Sequence, residues 1–232
     1  MAADDPHFDS VRAFLARARS SGAPAAAAAR IVSLDEARAE RVAPAPRWRL
    51  DELTGRLVEL SGLGAVASLS AAASLIVEAQ GRGEPAAWIA RTSATFFPPD
   101  LDDAGVDLDA LVVVRVLDVT AMIRAADRLL RSGAFGLVVL DLGPGGQHAE
   151  VSIAAQGRLV GLAQHHDAAV VAITEKSHDT ASLGSMVSLR AEAVRERLGS
   201  GGFRVAVRAV KDKRRGPGWA EVVDVLAPPG LK

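Results

Sequence analysis

Three short runs of the chain hold almost nothing but aliphatic residues: Leu111–Val116, Leu137–Leu142 and Ala168–Thr174. They are too short for buried helices, and they lack the polar alternation of a half-exposed strand. They therefore read as strands, Leu111–Val116 and Leu137–Leu142 as the continuous apolar kind that is buried on both faces of a parallel sheet. Helical patterns lie between them, at Thr120–Arg131 and Val151–His165. Upstream, Leu57–Leu60, Ser68–Gln80 and Ala86–Ala90 read as strand, helix and strand. This alternation from Trp48 to Lys176 predicts βαβ units, with a mainly parallel sheet flanked by helices on both faces.

Beyond Lys176 the rhythm changes. Met186–Arg195, Phe203–Lys211 and Trp219–Leu226 alternate with period two, separated by Gly199-Ser200-Gly201-Gly202 and Arg215-Gly216-Pro217-Gly218. Two C-terminal antiparallel hairpins extending the sheet are predicted. Residues 1–46 are set apart from 47–232. They carry a helical pattern (Phe8, Val11, Phe14, Leu15 and Ala18 on one face), an alanine run, the extended segment Ile31-Val32-Ser33-Leu34, and breaks at Pro44 and Pro46. This N-terminal zone cannot form a core alone.

Composition excludes several functions. There is no cysteine, so there are no disulfides, thiolate metal sites or cysteine nucleophile. No apolar run approaches the ~20 residues that span a bilayer. The acidic start lacks the apolar block of a signal peptide, so a cytoplasmic protein without membrane contact is expected. With a net charge of −1, direct DNA binding is expected to be weak or absent.

Where the first strand meets its helix, Glu59-Leu60-Ser61-Gly62 runs into Leu63-Gly64-Ala65-Val66-Ala67-Ser68-Leu69-Ser70. A phosphate-binding loop G-x-x-x-x-G-K-[ST] belongs at such a junction. Gly62 takes its first place, but Ala67 stands for the second glycine, Ser68 for the lysine and Leu69 for the magnesium-binding hydroxyl. A lysine's charge-assisted bond is worth about 1.5–3 kcal/mol, and Ser68 cannot supply it. Leu69 offers magnesium nothing. Taken alone, the loop reads as a strand–turn–helix that never held phosphate. Leu137-Val138-Val139-Leu140-Asp141 ends on an acid where a Walker B aspartate would sit, although many parallel strands end so for turn reasons.

Other features are simpler. His165-His166 reads as a solvated helix end rather than a metal site, and His148 and His178 lack ligand spacing. Lys211-Asp212-Lys213-Arg214-Arg215 reads as a hairpin tip, either a solvated turn or a contact for nucleic acid or an acidic partner. Phe96-Phe97-Pro98-Pro99 either plugs the core or presents an aromatic knob.

In order along the chain, these segments resemble the RecA core. Arg56–Gly62 is similar to its first strand and loop, Gly105–Leu111 to the segment before its third strand, Arg131–Ala134 to the approach to the Asp141 strand, and Val207–Lys213 to its last hairpin. The resemblance covers nearly the whole chain, without RecA's separate C-terminal domain. Within that superfamily, Trp88–Arg91, Phe97–Leu101, Ala104–Asp107, Leu111–Arg115 and Lys213–Pro217 resemble the ImuA family of bacterial error-prone DNA synthesis.

The resemblance implies a RecA-like α/β core and a role in the SOS response. It implies ImuB (an inactive polymerase relative) and RecA as partners, with an error-prone C-family DNA polymerase indirectly. Gly62, Gly64, Ala67, Ser68, Leu69 and Asp141 would be a vestigial nucleotide site, with no cofactor, metal or catalysis. Segments matching RecA's DNA-binding loops, Gly143–Ala149 and Ser177–Ser185, are short, and Glu175 replaces the nucleotide-sensing glutamine. Ile31, Val32 and Leu34 resemble the strand by which one RecA protomer docks on the next, and the alternative is that they pack on their own core. Lys211, Lys213, Arg214 and Arg215 would form a DNA or partner patch. A SulA-like inhibitor of the division GTPase FtsZ and a divergent ATPase remain the competing readings.

Overall fold

The structure is a computed structural model and describes residues 47–63, 67–94, 96–143, 149–198 and 202–226. The chain divides into Met1–Pro44 and Ala45–Lys232. Only the second unit is described. The expected N-terminal helix, the segment with Ile31, Val32 and Leu34, and Gly64 all lie outside the described residues.

The elements follow the predicted alternation. In chain order they are α1 (Leu50–Leu53), β1 (Arg56–Gly62), α2 (Ser68–Gly81), β2 (Ala86–Arg91), α3 (Pro98–Asp103), β3 (Leu111–Val116) and α4 (Val119–Arg131). Then come β4 (Leu137–Asp141), α5 (Ile153–His165), β5 (Ala169–Glu175), β6 (Leu189–Arg197), β7 (Gly202–Asp212) and β8 (Ala220–Leu226). Local chemistry sets the ends of α4 and α5: the Asp118 carboxylate accepts from Ala121 N at 2.7 Å, and the Ser152 hydroxyl accepts from Ala155 N at 3.3 Å.

The strands form one eight-stranded sheet in the order β3-β2-β4-β5-β1-β6-β7-β8. Every pairing from β3 to β6 is parallel, and β6–β7 and β7–β8 are antiparallel. One face buries Val58, Leu60, Trp88 and Val139 against Leu75 and Ile76 of α2. The other buries Leu57, Ile89, Val138 and Val170 against Met122 and Leu130 of α4 and Leu159 of α5.

Two expectations change. Leu111–Val116, read as buried on both faces, is the sheet's edge, with Val112 and Val113 exposed at 41% and 39%. An apolar run marks a strand, but it cannot say whether a neighbour covers both sides. The Phe96-Phe97 pair also splits. Phe96 packs on the core with its ring centroid 5.6 Å from that of Trp88, while Phe97 is 55% exposed.

The antiparallel extension is tied to the parallel sheet by a buried ion pair. Arg56, at the start of β1, meets Asp212, at the end of β7, at 2.6 Å with both side chains 1% exposed. Arg56 also donates to Ser188 Oγ and to the Ser188 and Glu52 carbonyls. Asp212 accepts from Arg214 N and Trp219 Nε1. Asp212→Ala leaves a buried, unpaired guanidinium and is expected to cost about 3–5 kcal/mol in urea unfolding. Replacing both residues by Met and Leu should cost far less.

Burial pushes the Asp212 carboxyl up. The bonds from Arg214 N, Arg56 and Trp219 outweigh this and hold its pKa below the usual value. Protonation therefore favours the unfolded chain. The stability from Asp212 is complete above the ordinary value of about 4 and is lost as pH falls through the lower folded-state value. Asp212→Asn should flatten that acid limb in stability measured against pH.

Candidate functional site

In open α/β sheets, ligands bind beyond the carboxyl ends of the strands, where the strand order reverses. β1 meets this description, because its chain leaves through α2 toward β2 while β5 and β6 flank it. At that end Leu63 is exposed and Ala67 is buried at the entrance to α2. The Ala67 N–H, which a phosphate loop would offer to its ligand, donates to the Ala193 carbonyl of β6 at 3.1 Å. Ser68 is buried and its hydroxyl has no hydrogen-bond partner. Leu69 is 47% exposed, presenting an aliphatic side chain where a hydroxyl would serve magnesium. No side chain caps α2 and no acid lies in its first turn.

Asp141 ends β4 at the same edge of the sheet and is buried. Its carboxylate accepts from Gly143 N at 3.0 Å and Trp88 Nε1 at 3.3 Å. Burial raises its pKa against the opposing pull of these two bonds and of Arg91, while Glu175 adds to the rise. The turn it holds is tight. Gly143 has φ +59, and a side chain there would stand 2.8 Å from Ala94 Cβ. Arg115 lies over the Phe96 ring that packs on Trp88, extending the cluster toward the sheet edge.

Sequence reasoning missed the polar network beside these residues. Glu59, in the middle of β1, is fully buried. Its Oε1 accepts from Thr174 Oγ1 at 2.9 Å and pairs with Lys176 Nζ at 3.0 Å, and its Oε2 accepts from Leu183 N at 2.7 Å. Arg190 of β6 donates to Ser61 Oγ and to the carbonyls of Ser177 and Thr180. Lys176 also reaches the Ala181 carbonyl at 3.2 Å. Buried Gln156 accepts from Met186 N, and Gly184 passes so close to it that a Cβ would sit 2.0 Å from Gln156 Nε2. The segment after β5 is thus pinned from three elements. The available signal was an acid inside Leu57-Val58-Glu59-Leu60, since a charge in a buried strand requires a partner.

The remaining sequence candidates lie elsewhere. The run Lys211–Arg215 sits at the opposite end of the sheet, beside the start of β1. Lys213 Nζ donates to the Ser185 carbonyl, Arg214 to the Thr54 carbonyl, and Arg215 to Glu52 at 3.0 Å. Burial, then Lys213 and Arg190, lower the Lys211 pKa, against a pull from Glu59. His165 and His166 stand edge to face with centroids 4.6 Å apart, and His178 pairs with Asp179 at 3.0 Å. Among the described residues, no group of three His, Asp or Glu side chains can hold a metal ion, and no helix is long and apolar enough to cross a membrane.

No model of a known protein family matches the chain, and a search of curated proteins also gives no match.

Glu59→Ala leaves the Lys176 ammonium and the Leu183 amide without their acceptor. The expected loss is about 3–5 kcal/mol of stability. Hydrogen exchange at Leu183 should accelerate beyond what that global loss explains.

Proposed function

We propose that this chain is a non-catalytic RecA-like adaptor of the ImuA kind in damage-induced translesion DNA synthesis. In this reading it binds RecA and an ImuB-type polymerase-like partner. The mainly parallel sheet, with helices on both faces and an antiparallel C-terminal edge, is the architecture that the sequence resemblance implies.

One observation carries the non-catalytic part. At the α2 entrance the Ala67 amide is taken by Ala193, Ser68 and Leu69 replace the cation and hydroxyl, and the Asp141 carboxylate is engaged by Trp88 and Gly143. Among the described residues, the lysine and the magnesium-binding hydroxyl of a working site have no counterpart, and the Ala67 amide and Asp141 carboxylate are engaged within the protein. What is left for function is surface. The segment after β5 supports the same reading. A DNA-contacting loop gains from freedom to close on its ligand, and Glu59 and Arg190 instead fasten this one to the sheet.

The test has two arms. Titration calorimetry with magnesium-ATP should show no binding, and micromolar affinity would overturn the pseudo-ATPase reading. Purified RecA, an ImuB-type protein and FtsZ are then each tested for co-precipitation with the full chain. Retention of RecA and the ImuB-type protein is expected, with loss of RecA in an Ile31→Asp/Leu34→Asp variant. Retention of FtsZ alone would favour the division-inhibitor reading.

A further inference from the structure

α4 packs beside α5 on one face of the sheet, and between them lies a cleft of about 360 Å³. Its lining includes Arg124 and Arg128 of α4, Arg158 of α5, Asp127, and the aliphatic Ile123 and Leu159. Arg124 and Arg128 are one helical turn apart, so they project from a single stripe of α4. Both are exposed, and neither guanidinium makes a hydrogen bond or ion pair among the described residues. The cleft's carboxylate does not serve them. Asp127 Oδ2 is held by Arg131 Nε at 2.8 Å, and Oδ1 faces Arg158 Nε at 3.9 Å. Beside the cleft, Ile153 opens α5 with its side chain 68% exposed.

We propose that this cleft is a docking site for an acidic, aliphatic-bearing peptide segment of a partner protein. Charge complementarity selects the occupant. Two unpaired guanidinia a turn apart match carboxylates spaced three or four apart on a helix, or two apart on an extended strand, and each can be gripped bidentately. Half-buried Ile123 and exposed Ile153 give an aliphatic residue of the same segment a surface to cover. A phosphate backbone fits less well. The Asp127 carboxylate stands within the lining, where it would repel a phosphate, and the whole chain carries a net charge of −1. The proposal is independent of the nucleotide-site reading, because it uses neither that end of the sheet nor a RecA-type partner.

A random library of peptides of about twelve residues, a length that covers about 18 Å as a helix, is panned against the full chain. Arg124→Glu/Arg128→Glu protein serves for counter-selection. Both residues are on the surface, and an unchanged urea midpoint confirms that the variant folds. Enriched sequences should combine Asp or Glu with an aliphatic residue. In fluorescence anisotropy, the best of them should bind the variant about tenfold or more weakly. Its binding should also weaken as salt rises from about 50 to about 300 mM. No enrichment over the counter-selection, or enrichment of basic or uncharged sequences, overturns the proposal. So does a labelled oligothymidine that binds the wild type but not the variant, which would make the cleft a nucleic-acid groove.

Discussion

The architecture turns on a guanidinium and a carboxylate that are both shut away from water. Arg56 and Asp212 are 156 residues apart in the chain and 2.6 Å apart in space. A buried pair of this kind adds little net stability over an apolar replacement, because the desolvation of both ions offsets most of their attraction. Its effect is on specificity. Asp212 stands opposite Leu189 in the β6–β7 ladder, and the register shifts between Arg190 and Ala191, so a slip of β7 would carry the carboxylate away from Arg56. Trp219 Nε1, Arg214 N and Ser188 then close around the two charges. The exposed arginines and lysine of the turn reach back to Glu52, Thr54 and Ser185, anchoring the hairpin to the start of the parallel sheet.

Glu59 does in the middle of β1 what Arg56 does at its start. It is a charge in a strand where every other position is buried, and it is satisfied only because Thr174, Lys176 and Leu183 converge on it. The consequence is spatial. The carboxyl edge of an open α/β sheet is ordinarily a crevice free for a ligand. Here the segment after β5 is drawn onto that edge by Glu59, Arg190 and Gln156. Buried charges at the start and in the middle of β1, with Arg190 of β6, thus tie it to β5, β6 and β7 and to the segment after β5.

The alternation of strands and helices was legible because continuous aliphatic runs and amphipathic helices report burial directly, and the expected segments coincide closely with β2 to β5, α2, α4 and α5. Neighbour order was not legible, which is why β3 read as buried on both faces although it is an edge with Val112 and Val113 exposed. The polar network stayed hidden for another reason. Glu59, Lys176 and Arg190 are unremarkable along the chain, and their pairing exists only after β1, β5 and β6 lie side by side. Lys211–Arg215 was legible as a turn. Its anchoring to Glu52, Thr54 and Ser185 was not, because those partners come from two distant segments. At the loop after β1, sequence identified the substitutions at Ala67, Ser68 and Leu69, but only the fold shows the Ala67 amide taken up by β6.

Asp141 brings these points to bear on the nucleotide question. In a working phosphate site, a lysine and a metal ion balance the charge of such a carboxylate. Here burial drives its pKa up, and the opposing influences are the Gly143 amide, the Trp88 indole N–H and Arg91. Both bonds it accepts are geometric: one fixes the left-handed turn at Gly143 and the other fixes the Trp88 ring on which Phe96 packs. Each carboxyl oxygen accepts one of these bonds, and both bonds favour the ionised form against the pull of burial. A carboxyl engaged through both oxygens has a structural reason to stand at the end of β4. Its presence is not an argument for magnesium chemistry at the entrance to α2.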